Sequence, residues 1–525
     1  MEKGQIIELK IEDMLDDGRA FGRCEGCAVF VAMGSDPLAG CRSAVPGDTV
    51  KAKITKTKKS SAEAALIEVT QPSPDRVEAE CPYFGSCGGC TLQELSYEAQ
   101  LRLKENQVRT KLARLGGLDD PEVNGIIGAE NTKYYRNKAV FAVGAHGEVG
   151  FMKGKSHFVM DIEDCMLQSD AAMVCADALR HFLKSEPGLA GKVIKQLTVR
   201  TAFGTGEVMA VLESEKKEFP RMDELIGMLD DAVYSLALDG SGGEDEEADP
   251  YFSLESVALI HKGKCHVLAG KPTITEELTG SSGAGVRFEI SPQSFFQVNP
   301  EQMVRLYEKA AEYAALEGGE TVLDLYCGAG TIGIWLLDDL RRRNEKAFDK
   351  TKVIGIESVK PAVIDANRNS VINGLVNTRY FCGKAEEELP GMMGLSKLYK
   401  WNEVNERVER EPEIKIEKAD VVILDPPRAG CDEALLKAVV QADPDRIVYV
   451  SCDPGTLARD IKFLCANGYE FIEATPADQF PLTSHIETVC LLSNTQRPKK
   501  ESYITLDVEM EDYYRIKNEG KNSTT

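Results

Sequence analysis

A small set of thiols and carboxylates in this chain have types and spacings that imply chemistry. Cys81, Cys87 and Cys90, in CPYFGSCGGC, are spaced C-x5-C-x2-C, and the intervening glycines allow a turn tight enough to bring them to one metal centre. A fourth ligand is needed, and Cys165 in DIEDC is the best-placed candidate. Four thiolates suit zinc or an iron–sulfur cluster equally well by ligand type. Cys24 and Cys27 have no second pair at zinc spacing and read as incidental turn and strand residues. Cys452 closes the apolar run RIVYVSC. A free cysteine is usually a buried core residue, but one at the carboxyl end of a strand is better placed as a nucleophile. Asp425 closes VVILD and opens Asp425-Pro426-Pro427-Arg428, at the strand end where open α/β sheets bind ligands. Glu487, in HIETV, stands just before the apolar run TVCLL and is able to reach the same crevice; the bland alternative is an exposed strand-end carboxylate. Gly328, Gly330 and Gly333 make a G-x-G-x-x-G frame between the strand TVLDLY and a helix, a turn suited to a nucleotide-like ligand. Glu357, closing KVIGIES, is placed to hold ribose hydroxyls; RRRNEKAFDKTK lengthens its connection beyond the usual ~20 residues.

These groups need elements to position them. A chain of 525 residues holds two to four domains, and 43% hydrophobic with 28% charged residues is an ordinary globular balance. No apolar run approaches a membrane span and no apolar stretch of signal type stands near the start, so the expected location is the cytoplasm and no membrane partner is expected. Fifteen cysteines in a reducing compartment point to metal, catalysis or burial rather than disulfides. The net charge of −23 argues against a nucleic-acid partner unless a basic patch is local. Part of the acidity lies in Gly242–Pro250, read as a solvated loop, whereas Lys51, Lys53, Lys56, Lys58 and Lys59 form either a solvated strand edge or an RNA-contacting face.

Residues 1–72 carry the strand runs IIELKIEDM, AVFVAM, DTVKAKITKT and AALIEVTQ, divided by DDGRAFG, Pro37–Gly40 and VPGD, which predicts a small barrel. Residues 73–288 form a central α+β domain with one clear helix near Ala171–Leu183, preceded by a helix within 95–117 that is free to pack on the next domain. Residues 289–497 alternate strands and helices, predicting a parallel sheet covered on both faces. Gly391–Lys418 fits no strand of that pattern and reads as a surface insertion; residues 498–525 form a C-terminal extension.

The loop DLYCGAG resembles the adenosylmethionine loop of class I methyltransferases. Carbon-5 of uracil is too weak a nucleophile until a thiolate adds at carbon-6, and a base must later remove the carbon-5 proton, so Cys452, Glu487 and adenosylmethionine together fit methylation of a pyrimidine carbon. Nearly the whole chain resembles the RNA uracil-5-methyltransferase family, in the branch with a TRAM domain and an iron–sulfur cluster. The resemblance is carried by PSPDRVEAECPYFGSCGGCTLQ, YYRNKAVFAV, SPQSFFQVNP, LDLYCGAGTIGI, ILDPPRAG, VYVSCDPGTLARD and HIETVCLL. It implies a five-stranded OB-like TRAM barrel, a central cluster-bearing domain and a class I Rossmann-like methyltransferase domain. It further implies a [4Fe-4S] cluster on Cys81, Cys87, Cys90 and Cys165, with adenosylmethionine contacts from Gln297, Tyr326, Glu357 and Asp425. Cys452 takes the nucleophile position and Glu487 the base position. The leading expected substrate is 23S ribosomal RNA and the same-class alternative a tRNA uridine; no obligate protein partner is expected. A non-catalytic RNA-binding assembly factor would leave Cys452 and Glu487 idle, and an amino-directed enzyme using DPPR would leave Cys452 idle.

Overall fold

The computed structural model describes residues 1–496 except 16, 34–41, 155, 240–251, 284 and 402–406. The acidic segment Gly242–Pro250, the Pro37–Gly40 turn and the extension 498–525 lie outside the described residues.

The first unit is a closed barrel of β1 (Ile6–Met14), β2 (Ala20–Cys24), β3 (Cys27–Ala32), β4 (Thr49–Thr57) and β5 (Ser61–Gln71), in the order β1-β2-β3-β5-β4. Strict alternation makes it: Ile7, Leu9 and Ile11 of β1 point inward against Val29, Val50 and Ile54, while the residues between them face water. The stretch DDGRAFG, expected to be only a separator, runs into β2, whose Ala20–Gly22 it contains; its glycine at 22 sits over the Lys10 carbonyl, where a side chain would collide.

α1 (Tyr97–Arg114) leaves the cysteine-rich loop and packs on the third unit, where Val108 and Leu112 join the core around Ala474 and Tyr469. The central sheet contains β6 (Lys138–Val143), β7 (Val149–Met152), β8 (Val159–Asp161), β9 (Ile194–Thr201), β10 (Glu207–Ser214), β11 (Ser253–His261) and β12 (Lys264–Gly270), in the order β12-β11-β10-β9-β6-β7-β8. α2 (Asp170–Ser185) and α3 (Met222–Asp239) cover one face. The sequence shows only α2 clearly. α3 is the crossover that the parallel β10–β11 pair requires.

The hairpin β13 (Ile274–Thr279) and β14 (Gly285–Ile290) and the helix α4 (Pro300–Ala314) lead into the third unit. It continues with β15 (Thr321–Leu325), α5 (Thr331–Arg343), α6 (Glu345–Phe348), β16 (Lys352–Glu357), α7 (Lys360–Ile372), β17 (Thr378–Cys382) and α8 (Ala385–Met392). Then follow β18 (Leu398–Trp401), β19 (Arg407–Arg410), β20 (Val421–Leu424), α9 (Glu433–Gln441), β21 (Arg446–Ser451), α10 (Pro454–Ala466), β22 (Tyr469–Ala477) and β23 (Glu487–Asn494). The sheet order is β17-β16-β15-β20-β21-β23-β22. Val421, Ile423, Val448 and Val450 face one core and Val422, Leu424, Ile447 and Tyr449 the other, so both faces are covered as expected.

Two expectations change. The sheet is mixed: β15, β16, β17, β20 and β21 are parallel, but β23 returns antiparallel between β21 and β22. An apolar run has no direction, so its periodicity could not distinguish the two. The span 391–418 is not strandless either, because β18 and β19 pair as a hairpin with Leu398 and Ile416 buried. Among the described residues no helix is long and apolar enough to cross a membrane.

Candidate active site

The reversed direction of β23 assembles the site. Parallel β20 and β21 deliver Asp425 and Cys452 just past their carboxyl ends, and antiparallel β23 starts at that same edge with Glu487. Ser451 pairs with Thr488, so one step outward sets Cys452 beside Glu487. Asp453 caps α10, accepting from the amides of Gly455 (2.8 Å) and Thr456 (3.0 Å), so Cys452 also lies against a helix N-terminus.

Charge in this pocket is one-sided. Burial, then the Glu487 and Asp425 carboxylates, push the half-buried Cys452 thiol up to about 11, with Arg428 opposing. Glu487 is 3% exposed, and burial followed by the Asp425 charge pushes its carboxyl well above the usual range. Its Oε2 has no hydrogen-bond partner among the described residues. Asp425 is pushed up to about 7 by burial, then by Asp324 and Glu357. Arg428 reaches the ring of His485 at 3.3 Å.

Beside this edge, the glycine loop stands at the end of β15. Asp324 is fully buried, accepts from the Gly333 amide (3.0 Å), and is pushed up to about 7, mainly by burial. A Cβ on Gly333 would come within 2.8 Å of both Asp324 Oδ2 and Val353, which is why the third glycine of the frame is needed. Tyr326 has φ +63, a left-handed conformation unusual for a tyrosine, and the amides of Tyr326 and Cys327 both donate to the Ile356 carbonyl (3.0 and 3.2 Å). Glu357 accepts from the amides of Gly328 (3.2 Å) and Val359 (2.7 Å). Gln297 is buried, and its carbonyl accepts from Asn137 of the central unit (2.9 Å). The Glu357 charge adds to the upward push on Asp324 and Asp425, and Asp324 adds to that on Asp425, an arrangement that a cation among them would relieve. The donor set therefore suits adenosylmethionine, whose sulfonium and amino group are both positive.

Away from this edge, Cys81, Cys87, Cys90 and Cys165 line one cavity of about 540 Å³ together with Phe84, Arg136 and Phe151. Burial pushes Cys87, Cys90 and Cys165 up, Cys90 to about 12, and the neighbouring thiols add to each shift. None of the four is in a disulfide. Among the described residues, no three His, Cys, Asp or Glu side chains form a group that could hold a metal ion. Cys24 and Cys27 face each other as partners at the turn between β2 and β3.

Several residues of the site escape sequence reasoning. Tyr307 of α4 is buried beneath the acid cluster with its hydroxyl 2.7 Å from Thr331 Oγ1; it sits in an ordinary apolar helix face and carries no motif. Lys138 and Arg200 are cross-strand partners on β6 and β9. Lys138 has no ionic or hydrogen-bonding partner among the described residues, and burial, then Arg200, lowers its ammonium to about 8. Arg200, 3% exposed, donates to the Ser294 carbonyl and keeps its Nε unpartnered. Phe295, between Ser294 and the buried Phe296, is 64% exposed. Of the five barrel lysines, Lys51 and Lys58 pair with Glu68 and Glu63 of β5.

Comparison with known proteins accords with this geometry. Residues 252–495 match the model of the tRNA (Uracil-5-)-methyltransferase family, and residues 1–67 match the TRAM domain. An uncharacterized RNA methyltransferase of Halalkalibacterium halodurans is 36% identical over 502 residues, covering 94% of this chain and 98% of the relative. One of Clostridium acetobutylicum is 34% identical over 514 residues, covering 95% and 99%. Among solved structures, the Pyrococcus abyssi tRNA (uracil-54, C5)-methyltransferase in complex with S-adenosyl-L-homocysteine is similar with a TM-score of 0.65 and 25% identity, covering 93% of this chain and 100% of that one. With the thiol, the carboxylates and the glycine loop on one sheet edge behind a TRAM barrel, the chain belongs to the adenosylmethionine-dependent RNA (uracil-5-)-methyltransferase family.

Proposed function

We propose that the protein methylates carbon-5 of a uridine in 23S ribosomal RNA, with Cys452 as nucleophile and Glu487 as base. The observation that carries this is the pairing of Ser451 with Thr488, which brings the two side chains to one edge beside Asp425. The target uridine leaves its stack to reach them. The Cys452 thiolate adds to carbon-6, and the electron pair moves to carbon-5, which takes the methyl group. Glu487 removes the carbon-5 proton, and the electrons released re-form the 5,6 double bond and expel Cys452. Bound adenosylmethionine would supply the methyl group as an electrophile, its sulfur keeping the electron pair of the broken sulfur–methyl bond and leaving as S-adenosylhomocysteine. Gln297, Tyr326, Glu357 and Asp425 are the residues assigned to hold it, Glu357 and Asp425 by opposing its positive charges.

Lys138 and the exposed Phe295 supply a cation and a stacking surface next to Gln297, the combination that single-stranded RNA requires. Cys81, Cys87, Cys90 and Cys165 are assigned a [4Fe-4S] cluster. Their support is a shared cavity lined by four half-buried thiols; a cluster spreads four sulfurs farther apart than one ion does, since Zn–S bonds are only ~2.3 Å. The units are assigned to residues 1–72, 73–288, 289–497 and 498–525, and the site of action to the cytoplasm. A tRNA uridine is the second reading, favoured by the likeness to the tRNA enzyme of Pyrococcus abyssi. Mapping 5-methyluridine in total RNA from cells with and without this protein separates them: a site lost from 23S RNA supports the first reading, and a site lost only from tRNA replaces it with the second.

A further inference from the structure

Nine residues, 478–486, join β22 to β23 without regular structure, and Glu487 follows at once. Its Oε2 has no partner among the described residues, so the carboxylate is aimed by the backbone that delivers it. That backbone is held from outside. Leu482 has φ +65, a left-handed conformation that a leucine keeps only where its surroundings impose it. Its carbonyl accepts from the amides of Thr91 and Leu92, both at 3.1 Å, and its amide donates to Gln100 Oε1 (3.1 Å). The Ser484 amide donates to Thr91 Oγ1 (2.9 Å). Tyr135 donates to the Pro481 carbonyl, and Lys104 to the Phe480 carbonyl, both at 3.1 Å.

Thr91 is where three units meet. It follows Cys90 of the four-cysteine cavity, binds two residues of the segment, and packs its methyl group on the barrel turn at Gly18. Gly18 has φ +77, and a Cβ there would lie 2.9 Å from Thr91 Cγ2, so only a glycine leaves room for this contact.

We propose that Thr91 is a positioning residue for the base: its hydroxyl and amide pin Leu482 and Ser484 and thereby aim Glu487 at the carbon-5 proton. The proposal rests on the assignment of Glu487 as base. It gives the cysteine loop a part in catalysis that needs no electron transfer, because the loop's next residue sets the geometry of the last proton step.

The test compares Thr91→Val, which keeps the shape but removes the acceptor, with Thr91→Ser, which keeps the acceptor. Both full-length enzymes are assayed on the substrate RNA beside Glu487→Gln. Thr91→Val is expected to lose kcat by between roughly 10- and 100-fold, the scale of a misaligned reacting group, with KM for adenosylmethionine within about twofold. It should accumulate covalent protein–RNA on denaturing gels and exchange amide hydrogens faster in 480–486, and Thr91→Ser should restore all three readouts. If Thr91→Val does not fold, Thr91→Ala removes the same acceptor without the extra methyl group. Adduct in Glu487→Gln but not in the Thr91 variant, or an unchanged kcat, overturns the positioning role alone. No adduct in Glu487→Gln overturns the base assignment and this inference with it.

Discussion

Two opposed influences act on Cys452. Burial and the nearby Glu487 and Asp425 raise its thiol to about 11, while Arg428 and the N-terminus of α10 favour the thiolate. The balance leaves the thiol protonated at neutral pH in the free protein. Alkylation of Cys452, followed by peptide mass spectrometry, should therefore rise about tenfold per pH unit between roughly pH 7 and 9, as the thiolate fraction does. Glu487→Gln removes a negative neighbour and should shift that profile to lower pH; a flat profile would contradict the electrostatics. Cys452→Ala should abolish methyl transfer while adenosylmethionine still binds, measured by calorimetry, and turnover in that variant would sink the nucleophile assignment. Glu487→Gln should form the adduct but fail to release it, because elimination waits on the carbon-5 proton. A denaturing gel without the adduct, together with normal turnover, would remove the base role.

At the scale of elements, α1 is the strut between the cysteine loop and the catalytic sheet. Its Lys104 is fully buried and donates to the equally buried Asp478 at 2.5 Å. Burial pulls the Lys104 ammonium down, and the Asp478 charge holds it up. Removing one partner leaves a buried charge without compensation, so Lys104→Met should cost about 3–5 kcal/mol in urea unfolding. Lys104→Met combined with Asp478→Asn discards both charges and should recover much of that loss. A single replacement as mild as the double would show that the pair is not coupled. Asp478 opens the segment that leads to Glu487, so the single variant should also lower kcat before it unfolds.

Over the whole molecule, a net charge of −23 repels RNA, and binding must come from where the cations are concentrated. Lys138 opposite Arg200 is a like-charge cross-strand pair in which Asp365 faces Arg200, so an added anion at Lys138 is favourable. Lys138→Gln should weaken RNA binding and lower the slope of log Kd against log salt by about one, with adenosylmethionine affinity unchanged. An unchanged slope would exclude a phosphate contact. The cysteine cavity makes a separate prediction: protein purified without oxygen should be brown and carry about four irons and four sulfides. Cys87→Ser should lose the iron and lower the melting temperature, because a group bound only by the folded chain adds its binding free energy to stability. One zinc per chain and no iron would overturn the cluster and leave the methyltransferase untouched.

Local sequence was enough for whatever a strand and its following turn determine together. DPPR after VVILD, SCDP after RIVYV and the glycine loop after TVLDL each place a side chain at a strand end, and the periodicity of the flanking runs shows which end. The barrel was legible for the same reason, except that β2 hid in a stretch rich in turn residues. Tertiary structure decided the rest. That β23 runs antiparallel, and so starts at the carboxyl edge of the others, depends on which strands it lies between. Lys104 and Asp478 stand 374 residues apart, and the Thr91 contact to Ser484 spans 393; neither leaves a local pattern. Lys138 and Arg200 read singly as ordinary strand residues and become a cationic pair only through register. A hydrophobic pattern specifies which face of an element is buried, but the partner of a polar group is set by the packing of whole elements.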